Sequence, residues 1–316
     1  MKPARKLLLS LGFLLIAAAI GFYLRPISFY NGYAHARLLV AGGRSRYVVL
    51  AVPTPGAPQP VRIHYNVIGP DHGQPIVLVH GLGGHAEDWQ GIYPSLTRAG
   101  YRVYMIDLVG FGHSDHPIEF SYSPADQATM LLSFFDALNL RQPDLVGWSM
   151  GGWVAQLVAI QHPDHINKLI LIDSAGLGIV NGAPALPTWD TNLFTPTDIP
   201  QFHALTALLT PHPPSVPAFF ARDFIRTTQQ NSWVIHRALA SMLTGHDTTD
   251  FHLATLHMPV LIVWGTADQI FPISHAEELN RLIPQSQLDL FNDCGHLTPI
   301  NCSTKVAPSL ITFLQQ

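Results

Sequence analysis

Charge is what this chain has least of. Only 12% of its 316 residues are Asp, Glu, Lys or Arg, and lysine occurs four times. The formal net charge of −4 carries no basic concentration beyond the first few residues, so nothing points to a nucleic-acid partner. Cysteine is equally rare. Cys294 and Cys302 form neither a C-x-x-C pair nor a zinc-like spacing. They read as free thiols, with a disulfide between them left open for an oxidising compartment. Histidines are plentiful, but His203, His212, His236, His252 and His257 show no H-E-x-x-H or paired spacing, so no metal and no cofactor is expected. What the chain has instead is apolar bulk. At 47% hydrophobic residues it can build the core of one large domain or two small ones.

The longest charge-free apolar run is Leu7 to Leu24, preceded by Lys2, Arg5 and Lys6. As a helix it would rise about 27 Å, roughly the thickness of a bilayer core. A cleaved signal peptide has a shorter apolar region with a small-x-small site just behind it. Here the run ends in Phe22-Tyr23-Leu24-Arg25-Pro26, and the next such site, Ala34-His35-Ala36, lies well downstream. Residues 1–25 are therefore expected to be an uncleaved membrane anchor, with a signal sequence as the alternative. The basic residues ahead of the run would hold the N-terminus in the cytoplasm and put the rest of the chain on the extracytoplasmic side. Arg25, Arg37, Arg44 and Arg46 pull the other way.

Arg44 to Val52 and Val61 to Ile68 read as a strand pair around a proline-rich turn. Continuous apolar runs follow at Pro75–His80, Val103–Leu108, Asp144–Val146, Lys168–Ile172 and Pro259–Trp264. Runs without alternation belong to strands buried on both faces, as in parallel sheets. Helical patterns separate them at Trp89–Ala99, Pro124–Leu138 and Gly151–His162, and two more, Ile273–Ile283 and Lys305–Leu314, follow the last run. This alternation predicts an α/β fold, a mostly parallel sheet flanked by helices. Residues 177–256 break the rhythm with many prolines and aromatics and almost no charge in their early part. Linkers are poor in apolar residues, so this stretch is expected to be an inserted helical cap, and a greasy cap implies an apolar substrate. The expected core is then residues 38–176 and 257–316, with the cap at 177–256 between its two parts.

Leu145-Val146-Gly147-Trp148-Ser149-Met150-Gly151-Gly152 passes from an apolar strand into a helical pattern with G-x-S-x-G at the turn. Gly147 and Gly151 leave room for a sharp bend that lifts the Ser149 hydroxyl above the sheet edge. A serine hydroxyl is a weak nucleophile and needs a base and an orienting acid. Asp268 in Trp264-Gly265-Thr266-Ala267-Asp268 follows one buried strand. His296 in Asp293-Cys294-Gly295-His296 follows the strand expected at Gln287–Phe291. All three would meet at the carboxyl edge of the sheet, where ligands bind in open α/β folds. His80-Gly81-Leu82-Gly83-Gly84 offers the Leu82 amide as an oxyanion donor beside that of Met150, each worth roughly 3 kcal/mol. Gly81 and Trp148 are expected against the substrate. His80, Asp107 and Ser114 read as structural, Asp293 as a loop residue, and Asp173, which also ends a strand, as a rival to Asp268.

These motifs, with Asp107-Leu108-Val109-Gly110-Phe111-Gly112-His113-Ser114, resemble the α/β-hydrolase superfamily over nearly everything after residue 40. The apolar N-terminus, Ser149-Met150-Gly151-Gly152, Asp173-Ser174-Ala175-Gly176-Leu177 and Asn292-Asp293-Cys294-Gly295-His296 look most like membrane-anchored monoacylglycerol lipases. That resemblance implies a serine esterase that cleaves medium or long acyl esters of glycerol through an acyl-enzyme. Its catalytic residues would be Ser149, Asp268 and His296, its oxyanion donors Leu82 and Met150, and its partner a small-molecule or lipid ester. Trp148 departs from the His, Tyr or Asn often found before the nucleophile in that family.

Two other chemistries compete. Hydrolysis of carbon–carbon bonds in ring-cleavage dienoates uses the same constellation, usually with a cap arginine for the substrate carboxylate, and Arg222, Arg226 and Arg237 are available. Gly81-Leu82-Gly83-Gly84-His85-Ala86 also fits the G-x-G-x-x-A pattern of an NAD(P)-dependent oxidoreductase, with Asp107 near the ribose position. Glu87 and Asp88 would repel a pyrophosphate there, and Ser149, Asp268 and His296 would have no use. A hydrolase fold acting only as a binding module is disfavoured by the intact triad. Haloalkane dehalogenation needs a carboxylate nucleophile and is excluded by Ser149.

Overall fold

The computed structural model describes residues 18–55, 57–185 and 190–316. Residues 7–17, most of the run expected to be an anchor, lie outside the described residues. Among those described, no helix is long and apolar enough to cross a membrane. Residues 18–24 are helical, and a second helix, α1 (Pro26–Val40), follows after Arg25. The sequence reading places no element there. The local signals are present: Pro26 opens the helix and Gly42-Gly43 lies just beyond it. The helix lacks a clean apolar stripe, however, because Phe29, Tyr30 and Tyr33 point to solvent while only Pro26, Ala34 and Leu38 are buried.

The sheet begins with the antiparallel pair β1 (Arg44–Val52) and β2 (Gln59–Ile68). Its other strands are β3 (Pro75–Val79), β4 (Arg102–Ile106), β5 (Asp144–Trp148), β6 (Leu169–Ile172), β9 (Val260–Gly265) and β10 (Gln287–Phe291). Their order across the sheet is β1-β2-β4-β3-β5-β6-β9-β10, and every pairing beyond β2–β4 is parallel. Strands β5, β6 and β9 are buried along their whole length, which is why their sequences are apolar without alternation.

The sheet separates two hydrophobic clusters. On one face α3 (Pro124–Ala137) and α4 (Met150–Gln161) bring Leu131, Phe134, Val154 and Val158 against it. On the other, Trp89 and Leu96 join Val306 and Leu310. The single helix expected over Trp89–Ala99 is divided into a 3-10 segment, Ala86–Gly91, and a short helix, α2 (Tyr93–Arg98). Pro94 is responsible, since it has no N–H to carry helical bonding across the junction.

Between β6 and β9 the chain forms a small hairpin, β7 (Ile179–Val180) with β8 (Ala183–Pro184), and then α5 (Ile199–Leu209), α6 (Ala218–Gln230) and α7 (Ser232–Leu243). Asp198 caps α5 by accepting from Gln201 N at 2.8 Å. Cys294 and Cys302 are joined as a disulfide, which corrects the free-thiol expectation. A short helical turn, Thr298–Asn301, folds the chain back and brings their Cα atoms to 6.1 Å, within bridging reach. Residue spacing alone could not show that return.

Candidate active site

Ser149 stands between β5 and α4 with φ 55° and ψ −119°. A non-glycine residue held there costs of order 1–3 kcal/mol, so its surroundings must enforce it. They do so by crowding. A Cβ on Gly147 would lie 2.3 Å from the Gly151 carbonyl oxygen, and one on Gly151 would lie 2.4 Å from the carbonyl oxygens of Val79 and His80. The backbone of α4 thus rests directly on the end of β3. Ser149 N donates to Ile172 O at 3.0 Å, which ties the turn to β6.

The structure brings together the three side chains that the sequence places far apart. His296 Nε2 lies 2.8 Å from Ser149 Oγ, and its Nδ1 lies 2.8 Å from Asp268 Oδ2. The remaining Asp268 oxygen accepts from Ile270 N at 2.7 Å and Phe271 N at 3.0 Å. With Nδ1–H donated to the carboxylate, Nε2 turns its lone pair to the serine hydroxyl. All three residues are at most 8% exposed. The loop holding His296 is pinned twice more. Ala267 N donates to Cys294 O at 2.9 Å, and Trp148 Nε1 donates to His296 O at 2.8 Å. Trp148 lines the cavity, as expected of a substrate neighbour, but its indole bond to the histidine loop has no signature in the sequence.

Gly81 packs against Ser149, since a Cβ there would lie 3.1 Å from Ser149 Cβ. Among the described residues, the amides of Leu82 and Met150 have no acceptor within the chain. The turn that carries Leu82 is held from beneath by His80. Burial lowers the pKa of this ring against the pull of Asp107, so it is neutral. It donates from Nδ1 to Gly81 O at 2.7 Å and accepts at Nε2 from Leu108 N at 3.1 Å. Asp107 receives His64 Nδ1 at 2.7 Å, Ala86 N at 2.6 Å and His113 N at 2.8 Å. Burial works against its carboxylate, yet the bond to His64 holds its pKa low. Fully buried and already accepting three hydrogen bonds, Asp107 is out of reach of a ribose, and the dinucleotide reading loses its anchor.

Asp173 is buried at φ 42° and accepts from Gly265 N at 2.8 Å, not from His296. Burial, and then the neighbouring Asp268 charge, push its pKa well above the ordinary carboxyl range. Asp293 is an exposed turn residue at φ 62°.

A cavity of about 330 Å³ opens over Ser149 and His296. Leu205 and Leu209 from α5, Phe224 from α6 and Ile235 from α7 face it, with Ile27 and Asn31 from α1. Neither Lys nor Arg is among its lining residues. Arg226 is bound to Asp223 and to Leu24 O, while Arg237 donates to Ile118 O and lies over the Trp233 ring. Arg222 is exposed and lies outside the cavity wall. No cluster of metal ligands occurs among the described residues.

Residues 74–301 match the family described as alpha/beta hydrolase fold, and the chain belongs to it. The chain is 29% identical over 245 residues to Lipase 3 of Moraxella sp. (strain TA144), across 76% of this chain and 77% of that protein. It is 28% identical over 263 residues to the 2-hydroxymuconate semialdehyde hydrolase of Pseudomonas sp. (strain CF600), across 77% and 88%. Among solved structures, a membrane phospholipase A described as a bacterial virulence factor superposes with a TM-score of 0.82, at 25% identity over 98% of each chain.

Proposed function

We propose that this protein is a serine esterase acting on lipid esters of the monoacylglycerol kind. The observation that carries the reading is the cavity above Ser149, which is walled by cap leucines and aromatics and has no cationic residue of the Lys or Arg type. An acyl chain fits such a wall, and a substrate carboxylate finds no guanidinium there. Ser149 Oγ attacks the ester carbonyl while His296 Nε2 takes its proton. Asp268 holds the ring in the required tautomer and stabilises the imidazolium. The Leu82 and Met150 amides receive the oxyanion. The alcohol departs with the proton from His296, and water then hydrolyses the acyl-enzyme through the same ring.

The N-terminal segment is proposed to hold the enzyme at a membrane. Exposed Phe22, Tyr23, Phe29, Tyr30 and Tyr33 support this, because aromatic side chains collect at the lipid–water boundary. The Cys294–Cys302 disulfide supports an oxidising, extracytoplasmic setting for the domain. Carbon–carbon bond hydrolysis is the second reading, favoured by the similarity to the 2-hydroxymuconate semialdehyde hydrolase. The decisive assay sets a p-nitrophenyl ester panel of increasing chain length beside a dienoate substrate, with fluorophosphonate labelling of wild type and Ser149→Ala. The ester reading expects medium or long chains to be turned over fastest and labelling to vanish in the variant. Faster dienoate turnover would replace it, a preference for short soluble esters would remove the lipid assignment, and equal labelling would remove Ser149 as nucleophile.

A further inference from the structure

The cavity has a polar end that the reaction steps above do not use. Asn31 from α1 meets His85 and Glu87 from the segment after the Gly-rich turn, and all three line the cavity. Asn31 Nδ2 lies 3.4 Å from His85 Nε2, and His85 Nδ1 lies 3.3 Å from Glu87 Oε2 and 3.6 Å from Asp88 Oδ1. Glu87 Oε1 accepts from Asn66 Nδ2 at 3.0 Å, with His35 Nδ1 at 3.7 Å. His85 Nδ1 and Asn66 Oδ1 are buried without a hydrogen-bond partner. The rest of the wall is mainly apolar, with Thr227, Thr228 and Asn231 among its cap residues, and Asn31, His85 and Glu87 gather at one end of it.

Ionisation settles what this end presents. Burial opposes the His85 imidazolium, but Asp88 and Glu87 overcome it and raise its pKa to about 10. Burial also opposes the Glu87 carboxylate, and contact with His85 holds it down at about 2. One cation between two carboxylates leaves this corner net negative. Asn31 Nδ2 stands toward His85 Nε2, and the amide can turn end for end, so it can offer the cavity a carbonyl oxygen or an NH2 group. The cavity then meets an amide, donor at one end and acceptor at the other, beside a carboxylate acceptor. A hydroxyl, which both accepts and donates, matches that pair, and an anionic group is repelled by it.

We infer that Asn31 and Glu87 bind the free hydroxyls of the substrate's alcohol half. The leaving group is then an uncharged polyol such as glycerol, and the acyl chain lies against Leu205, Leu209 and Ile235. This rests on the ester reading above and extends it from the bond cleaved to the group released. It also gives α1 a part in specificity, since α1 supplies one of the two polyol contacts.

The test uses three esters of one fatty acid on the full chain: a 1-monoacylglycerol, an n-propyl ester and a phosphoglycerol ester. For wild type, kcat/KM is expected to favour the glyceryl over the propyl ester by about tenfold, with the phosphoglycerol ester slowest. Asn31 is only partly buried, so Asn31→Ala perturbs little packing. In it the glyceryl-to-propyl ratio should fall toward one, and because a ratio is read, a general loss of active enzyme cancels. A ratio unmoved by the substitution, or a wild type that prefers the phosphoglycerol ester, overturns the inference while leaving ester hydrolysis intact. Failure to hydrolyse any of the three would instead remove the reading on which it stands.

Discussion

Two buried carboxyls, Asp268 and Asp173, approach the same corner, and exchanging each for its amide should separate them. In Asp268→Asn the two backbone donors Ile270 N and Phe271 N continue to require an acceptor at the Oδ1 position. The amide oxygen takes that place, so the NH2 group is turned toward His296 Nδ1, 2.8 Å away in the native arrangement. The imidazole must then accept at Nδ1 and carry its proton on Nε2, where it cannot receive the Ser149 proton. The comparable substitution in a serine-protease triad costs about 10⁴ in kcat, or between 5 and 6 kcal/mol at roughly 1.4 kcal/mol per decade, and the same order is expected here. Burial and the neighbouring Asp268 charge push Asp173 toward its protonated form, so Asp173→Asn keeps its shape and eases the cost of burying a charge. It should keep activity within about threefold of wild type, since Asp173 accepts from Gly265 N and makes no bond to His296. Steady-state hydrolysis of a p-nitrophenyl ester measures both, with thermal melts to show that each variant is folded. If Asp268→Asn retained more than a tenth of the activity, or Asp173→Asn lost as much as Asp268→Asn, the assignment of the orienting acid would be wrong.

Three further outcomes can be measured. Replacing both cysteines by serine opens the short loop that carries His296, and by the loop-entropy relation this should cost about 2.5 kcal/mol; an unchanged melting temperature would show that the bridge stabilises nothing. Trp148→Phe keeps a ring in the wall but strips the buried His296 carbonyl of its donor, so a fall of about 1–3 kcal/mol in stability and a lower kcat are expected; equal kcat would deny Trp148 a positioning role. Burial raises the Asp144 pKa from 3.8 to about 6, against Asn167 and Lys168. The folded state holds this proton more tightly than the unfolded chain, so the stability it confers is complete below 3.8 and lost as pH rises through about 6. Asp144→Asn should therefore stabilise the protein at pH 8 by up to about 3 kcal/mol and make no difference below pH 4, which denaturant melts at the two values would decide.

Parts of this molecule were legible in one dimension because their causes are local. Strands buried on both faces must be apolar throughout, so β5, β6 and β9 announce themselves. The sharp turn at Ser149 needs the small residues Gly147 and Gly151, and the loops ending in Asp268 and His296 follow recognisable strands. Helix α1 was not legible, because its aromatics face outward and its pattern has no apolar stripe. Neither was the break between the 3-10 segment and the short helix at Tyr93, which turns on one missing N–H at Pro94. The bridge between Cys294 and Cys302 depends on a return of the chain that spacing does not encode.

By itself, then, the sequence determined the alternation of strands and helices, the serine at the sharp turn, and the histidine that meets it at the sheet edge. Only the tertiary structure decided which carboxyl faces His296, since Asp173 and Asp268 end neighbouring strands and differ only in where their oxygens are held. It alone withdrew the three arginines of the cap from the cavity and set Asn31, His85 and Glu87 into its wall. The physical reason is the same in each case. A residue's type depends on the chain, whereas its ionisation, its hydrogen-bond partners and what it can recognise depend on neighbours that come from distant parts of the chain.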